Sequence, residues 1–342
     1  MTTVNHDWPA WEPDILGPDY QSLTIPLGED PQDEGEVYAT VVRYRPTATS
    51  STTKEDHRPA LLWVHGMTDY FFHTHVAEFF DQHGYAVYAV DLRKCGRSHR
   101  SGQKWHYCTD LEEYFPDLYA AVDALHGAGH NSIIPIAHST GGLIVPLWLN
   151  QMNQDHDPRF HLIKGLILNS PWLDMMYPKV FVKIATPIVD KLGKAFPTLE
   201  VPGGDLGCYG TSLQSDPSRN WDYDLNLKPI NGHPKYFGWL RAIVRGQRQI
   251  HQHHVDVGVP TLTLCSSASW LNHSYSAVAN ATDTVLDVQQ IHDRAPLLGQ
   301  QVSVEPIQGA RHDVFCSLHH AQAEAFAKTL QWLNSIGADP SR

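Results

Sequence analysis

From residue 60 onward the sequence carries short, mostly apolar runs separated by helical patterns, and this feature restricts the possible folds most. A strand that is apolar on both faces must be covered by helices on both sides of its sheet. The runs are ALLWV (60–64), YAVYAV (85–90), SIIPIA (132–137), IKGLILN (163–169), TLTLC (261–265) and VSVEPI (302–307), and the helical patterns lie near 72–83, 110–127, 141–154 and 318–335. This order predicts an α/β fold with a doubly wound, mostly parallel sheet.

The segment before residue 60 has a different pattern. YQSLTIPL (20–27) and VYATVVRYRP (37–46) alternate between apolar and polar residues, which predicts an antiparallel pair at a sheet edge. Residues 1–19 are rich in Pro, Trp and acidic side chains and show no period, so we expect an arm on the domain surface. Residues 47–58 form a polar stretch that is typical of a loop.

The strand–helix alternation breaks at 175–258, where Pro, Gly, aromatic and basic residues are mixed. We interpret this stretch as a cap inserted into one α/β core that comprises 1–174 and 259–342. Within it, PKVFVKIATPIVDKLGKAF (178–196) places apolar residues on one helical face, with Pro187 as an expected kink. The favoured interpretation is a cap helix packed on the core; the alternative is a lid that opens on an apolar substrate or lipid surface.

Charge and cysteine usage exclude several classes of function. The chain has 25 Lys and Arg against 37 Asp and Glu, a net charge of -12 that disfavours nucleic acid as a partner. The N-terminus lacks a basic start followed by an apolar run, so export is not indicated. No stretch of about 18 apolar residues occurs, so a membrane span is not expected. The five cysteines lack C-x-x-C spacing, which favours free thiols in a reducing compartment and predicts a cytoplasmic protein.

Ser139 is the candidate nucleophile. It lies in SIIPIAHSTGG (132–142), directly after a buried strand and before a helical pattern. Its neighbours at two positions on either side, Ala137 and Gly141, are small, as a strained strand-to-helix turn that exposes a hydroxyl requires. Acyl transfer also needs two N–H donors for the oxyanion. We expect them from Thr140 and from Met67, which follows His65-Gly66 after the first apolar run.

The base and the acid are inferred from position. His312 follows the last predicted strand, where a loop can reach the carboxyl ends of the parallel strands. The acid should lie between Ser and His in the chain, and Asp283 is preferred because it follows the TLTLC strand and precedes a helical pattern. Asp287 and Asp174 are the alternatives.

These residues occur in the motifs HGMTDY (65–70), YAVDLRKCGRS (88–98), AHSTGG (137–142), DTVLDV (283–288) and GARHDVF (309–315). Together they resemble the monoacylglycerol lipase and lysophospholipase-like, or serine aminopeptidase-like, branch of the α/β-hydrolases. The resemblance covers about residues 35–337. It implies an α/β-hydrolase fold, a triad of Ser139, Asp283 and His312, oxyanion donors at Met67 and Thr140, and a cap over an acyl pocket.

The expected activity is hydrolysis of carboxylic esters through an acyl-enzyme on Ser139, as in a carboxylesterase or monoacylglycerol lipase. The expected substrate is a small apolar acyl ester, no cofactor or metal is needed, and transient contact with a membrane surface is compatible with the apolar helix. The run His251-Gln-His253-His254 is interpreted as solvated rather than metal-binding. Alternatives are cleavage of an amide, lactone or thioester by the same triad, or a catalytically silent ligand-binding protein.

Overall fold

The computed structural model describes residues 9–46, 56–177, 179–214 and 221–340, with only the backbone of Lys179. Parts of four predicted segments therefore lie outside the described residues. These are the first eight positions of the arm, most of the polar loop, seven positions of the inserted segment and the last two residues of the chain.

Nine strands form one sheet in the described ranges. They are β1 (Glu12–Asp14), β2 (Gly17–Glu29), β3 (Glu36–Tyr44), β4 (Ala60–Val64), β5 (Ala86–Asp91), β6 (Ile133–His138), β7 (Leu166–Asn169), β8 (Thr261–Ser266) and β9 (Val302–Ile307). The sheet order is β1-β2-β3-β5-β4-β6-β7-β8-β9. The pairs β1/β2, β2/β3 and β3/β5 are antiparallel and the remainder are parallel. The predicted parallel sheet and its antiparallel edge pair are confirmed.

Eight α-helices accompany this sheet within the described chain. They are α1 (Thr74–Gln82), α2 (Phe115–Gly127), α3 (Gly141–Gln154), α4 (Lys179–Ala195), α5 (Gly207–Gln214), α6 (Phe237–His251), α7 (Val288–Arg294) and α8 (His319–Ser335). In β4, Leu61 and Trp63 belong to the core cluster that includes α1 and α8, whereas Leu62 and Val64 belong to the cluster that includes α2 and α3. The helices therefore cover both sheet faces, as the apolar runs require.

The expected surface arm over 1–19 is wrong where residues 12–14 and 17–19 join the edge of the sheet. The pairing of β1 with β2 shifts register between Pro13 and Asp14, and such an irregularity hides the alternation that would mark a strand. Asp14 is also fixed by Arg97, whose Nε lies 2.7 Å from its carboxylate. This long-range ion pair is not visible in the local sequence.

The segment between β7 and β8 contains α4, α5 and α6. Helix α6 buries Trp239, Ile243 and Ile250 against the rest of the molecule. Helix α4 runs through Pro187, and its residues Val180 and Ile184 are 72% and 64% exposed. The expectation that this apolar face packs on the core is therefore wrong. None of the described helices is both long and apolar enough to span a membrane.

Candidate active site

Ser139 occupies a tight turn between β6 and α3. Its φ of +51° is rare for a residue with a side chain, and the turn is held because its N–H donates to the Asn169 carbonyl at 3.0 Å. A Cβ on Gly141 would lie 2.6 Å from the His65 carbonyl oxygen, and one on Gly142 would lie 2.6 Å from Pro171 Cβ. The two glycines therefore allow this turn to pack closely against its neighbours.

The structure brings Ser139, His312 and Asp283 together. His312 Nε2 lies 2.9 Å from Ser139 Oγ, and His312 Nδ1 lies 2.9 Å from Asp283 Oδ2. The other oxygen of Asp283 accepts N–H bonds from Val285 and Leu286, each at 2.8 Å. Asp283 and His312 are almost wholly buried, and Ser139 is 8% exposed. This network orients the imidazole with its Nε2 toward the hydroxyl.

The two alternative acids are engaged elsewhere. Asp287 is the N-cap of α7, where its side chain accepts from the Gln289 N–H at 3.0 Å. Asp174 pairs with Arg294 at 2.8 Å. Helix α7 begins at residue 288, so Asp283 lies in the loop before the helix.

The predicted oxyanion donors are Thr140, which directly follows Ser139 in this turn, and Met67 in the neighbouring loop 65–70. A Cβ on Gly66 would lie 2.9 Å from Ser139 Cβ, so this glycine permits loop 65–70 to approach the nucleophile. Met67 lines the same small pocket as Ser139 and His312. Among the described residues, we find no hydrogen-bond partner for the backbone N–H of Met67 or of Thr140.

Two cavities of different character share Met67 in their linings. One, of about 580 Å³, is lined by apolar side chains that include Trp172, Met176 and Val189. The other, of about 30 Å³, contains Ser139, His312 and several polar groups. The larger volume suits an extended apolar group, and the smaller one suits only a few atoms.

A second buried network holds the loop that carries His312, and sequence reasoning missed it. Asp313 accepts from His73 Nε2 and from Asn169 Nδ2, both at 2.7 Å, and Asn169 Oδ1 accepts from the Val314 N–H at 3.1 Å. Burial alone would raise the pKa of Asp313, but His73, His138 and Asn169 hold that pKa well below its usual value. Asp313 follows His312 directly, yet its partners lie far away in sequence.

His138, the residue before Ser139, is also buried. Its Nδ1 donates to the Asn169 carbonyl at 3.1 Å, and its ring centroid lies 4.9 Å from that of His312. Burial lowers the pKa of His138 to about 4, and the nearby His312 adds to this effect. A neutral His138 places no positive charge against His312 at neutral pH.

Three side chains in the described structure offer metal-ligand atoms close together, namely those of His73, Asp313 and Cys316. The carboxylate of Asp313 is already occupied by hydrogen bonds, and burial raises the pKa of the Cys316 thiol well above its usual value. A neutral thiol is a poor ligand. His251, which opens the predicted solvated run, donates to the Leu173 carbonyl at 2.9 Å.

Comparison with solved structures shows the same fold. A monoglyceride lipase from Saccharomyces cerevisiae is 17% identical with a TM-score of 0.64, and the match covers 92% of this chain and 96% of that one. A monoacylglycerol lipase from Paleococcus ferrophilus is 19% identical with a TM-score of 0.59, covering 82% and 96%. A carboxyl esterase from Bacillus coagulans is 16% identical with a TM-score of 0.61, covering 94% and 99%.

A search of curated proteins finds no significant match. A family model described as "Serine aminopeptidase, S33" matches residues 55–317, which is well over half of the chain. The matched range includes the Ser139 turn, Asp283 and His312, together with residues 175–258. The protein therefore belongs to the S33 serine aminopeptidase-like family of α/β-hydrolases.

Proposed function

We propose that the protein is a serine hydrolase that cleaves carboxylic esters through an acyl-enzyme on Ser139. The observation that carries this proposal is the continuous hydrogen-bonded path from Ser139 Oγ through His312 to Asp283, with both distances 2.9 Å. The path lies in a small pocket that shares Met67 with a large apolar cavity. The esterase and lipase names of the structural neighbours agree with the proposal.

In the proposed mechanism the proton moves along the hydrogen bonds between Ser139 and His312, with Asp283 behind the imidazole. His312 Nε2 takes the Ser139 proton as Oγ attacks the acyl carbonyl, and Asp283 stabilises the imidazolium that forms. The N–H groups of Met67 and Thr140 donate to the oxyanion. His312 then protonates the leaving alcohol. Water attacks the acyl-enzyme in the second half of the reaction, with His312 again as base.

We further propose that residues 175–258 form a cap over the acyl pocket. The large cavity is lined mainly by side chains from this segment, including Val182 and Ala185 of α4 and Leu240 of α6. Its apolar lining and volume favour an acyl chain of medium length or an aromatic acyl group. Cleavage of an amide, lactone or thioester would use the same atoms and is distinguished by substrate tests.

We also propose that the protein makes transient contact with a membrane surface. The exposed apolar face of α4, flanked by Lys183 and Lys191, is the kind of surface that makes such contact.

We propose a cytoplasmic location. All five cysteines are free, which agrees with a reducing compartment such as the cytoplasm.

The test is hydrolysis of p-nitrophenyl esters from acetate to decanoate by wild type and Ser139→Ala. We expect the variant to lose at least about a thousandfold in kcat/KM, and the chain-length profile to measure the apolar cavity. Ser170→Ala is the matched control, because Ser170 is also buried beside this turn but bonds to neither His312 nor Asp283. Equal activity of wild type and Ser139→Ala would contradict the proposal.

Labelling by a fluorophosphonate probe separates the remaining possibilities. A labelled Ser139 with no ester turnover would favour an amide, lactone or thioester substrate. An unlabelled wild type without turnover would favour a catalytically silent binding protein.

A further inference from the structure

Three consecutive residues that directly follow Met67 each hydrogen-bond to the inserted segment. Their partners lie within ten residues of one another, at 224–233. The bonds run from the His233 N–H to Thr68 Oγ1 (3.1 Å), from Lys228 Nζ to Asp69 Oδ1 (2.6 Å) and from the Asp224 N–H to the Tyr70 hydroxyl (2.8 Å). The inserted segment therefore contacts the loop of the proposed oxyanion donor at three successive positions.

Thr68 has a backbone conformation that needs such support. Its φ is +52°, which is unfavourable for a β-branched residue and persists only where the surroundings enforce it. Thr68 is buried, and its hydroxyl is the acceptor for the His233 N–H. The φ angle of Thr68 sets the orientation of the Met67–Thr68 peptide, which is next to the peptide that carries the Met67 N–H.

Asp69 ties the loop backbone to the inserted segment through one oxygen. Its Oδ1 accepts both from Lys228 Nζ and from the Tyr70 N–H, the latter at 3.0 Å. Burial opposes the charge on each partner, but the attraction outweighs it, so the pKa of Asp69 is lowered and that of Lys228 is raised. A charged pair inside the protein makes a firm link, because separating it would leave an unpaired buried charge.

The first residue of loop 65–70 and the residue that follows the loop bond to residues 91 and 92 rather than to the inserted segment. His65 Nε2 accepts from the Leu92 N–H at 3.0 Å, and Asp91 accepts from the Phe71 N–H at 3.0 Å. Met67 thus lies between a core-held end and a stretch held by the inserted segment.

The inserted stretch is itself anchored. The ring of His233 stacks on Trp105 with centroids 4.0 Å apart, and Trp105 stacks on His99 at 3.6 Å. In both stacks the two ring planes are nearly parallel, with an interplanar angle of 3°. Trp105 and His99 lie before residue 175, so His233 contacts that part of the chain through its ring as well as through its N–H.

We infer that residues 224–233 act as a fixed brace that positions the Met67 N–H in the oxyanion hole, with Lys228 and Thr68 as positioning residues. This inference rests on the proposed function. Because the oxyanion forms only in the transition state, loosening the brace lowers kcat far more than it raises KM. The brace is thus a part of the inserted segment that does not open.

The test compares an ester with its thionoester analogue, p-nitrophenyl butanoate and p-nitrophenyl thionobutanoate. Sulfur is a weak hydrogen-bond acceptor, so the ratio of the two kcat/KM values reports on the oxyanion donors. Both substrates are measured on one preparation, which makes the ratio independent of the fraction of active enzyme. The variants are Lys228→Met, Thr68→Val and the conservative Thr68→Ser, which keeps the hydroxyl acceptor.

Lys94→Met is the matched control, since Lys94 also forms a wholly buried pair, with Asp30 at 2.7 Å. We expect the ester-to-thionoester ratio to fall about tenfold or more in Lys228→Met and Thr68→Val, with kcat falling and KM within about threefold. Thr68→Ser and Lys94→Met should keep the wild-type ratio. If Lys228→Met does not fold, the Thr68 pair decides the question.

An unchanged ratio in Thr68→Val, or an equal fall in Thr68→Ser, would overturn the brace. An equal fall in Lys94→Met would do the same, because it would trace the effect to general loss of stability. These results all require an active wild type. A wild type that hydrolyses neither ester and is not labelled by a fluorophosphonate would instead overturn the proposed function.

Discussion

Isoleucine residues in β6 and in α4 have opposite surroundings. Ile136 in β6 is 1% exposed, three residues before the candidate nucleophile, whereas Ile184 in α4 is 64% exposed. Both belong to strongly apolar stretches of sequence. An apolar pattern therefore predicts an element and its period, while the neighbours of that element determine whether the apolar side is covered.

The two regions also differ in how their polar groups are used. Around Ser139 the buried carboxylates of Asp283 and Asp313 accept hydrogen bonds from histidines and backbone. On α4 the polar side chains include lysines such as Lys183 and Lys191 beside an uncovered apolar face. The first arrangement suits chemistry at one fixed point, and the second suits contact with an apolar partner.

A substitution in the polar network around Ser139 should have the strongest effect of those considered. Asp283→Asn should lower kcat for ester hydrolysis by roughly 10³–10⁴-fold, because an amide no longer holds His312 in the required tautomer. Steady-state kinetics on p-nitrophenyl butanoate measure this loss. Asp287→Asn is the control and should stay within about threefold of wild type, since Asn also caps a helix. A larger loss in Asp287→Asn than in Asp283→Asn would show that Asp287, and not Asp283, is the acid.

The two isoleucines give the next largest effect. Ile136→Ala should cost about 2–5 kcal/mol in the free energy of unfolding, because it leaves a cavity between packed layers. Ile184→Ala should change that free energy by no more than about 0.5 kcal/mol, since water already surrounds most of its side chain. Urea unfolding of both variants measures the difference. Comparable losses would mean that α4 is covered in solution.

The stability of the protein should respond to pH through His106, which packs against α6. This buried residue lies 5.0 Å from Trp239 of α6, its ring nitrogens have no partner among the described residues, and burial lowers its pKa to about 3. An unfolded histidine titrates near 6.5. Between these values only the unfolded chain binds the proton, so stability falls as pH falls, by about 2 kcal/mol at pH 5 for this group.

His106→Phe removes this titration and keeps an aromatic ring. Its loss of unfolding free energy between pH 7 and pH 5 should be about 2 kcal/mol smaller than that of wild type. Urea unfolding at both pH values measures the two losses. Identical losses would show that His106 is already protonated in the folded protein or is not buried.

The smallest expected effect concerns the exposed face of α4. Ile184→Ser should weaken binding to anionic phospholipid vesicles by about fivefold, because one apolar side chain no longer enters the interface. Ile15→Ser is a matched control, since Ile15 is also 64% exposed but lies near the edge strand β1. Co-sedimentation with vesicles measures both. Equal binding of Ile184→Ser and wild type would contradict membrane contact through α4.

The parallel strands β4 to β8 could be predicted because they are buried on both faces and therefore mostly apolar. The runs at β4, β6 and β8 all appear in the structure with ends shifted by no more than one residue. The start of the sheet could not be predicted, because β1 depends on a register shift and on the ion pair of Asp14 with Arg97. The prediction that the apolar face of α4 packs on the core was wrong, because an amphipathic pattern does not specify which side of a helix contacts the rest of the protein.

The α/β fold and the candidates Ser139 and His312 follow from the sequence, because strand burial and the strand–turn–helix context are local properties of a chain, whereas the acid was left among Asp283, Asp287 and Asp174. The partners that hold those residues in place are visible only once the chain is folded. Asn169 and His73 reach Asp313, and Lys228 reaches Asp69, across more than 140 positions of sequence. Such contacts depend on the packing of distant elements, and a local pattern carries no record of that packing.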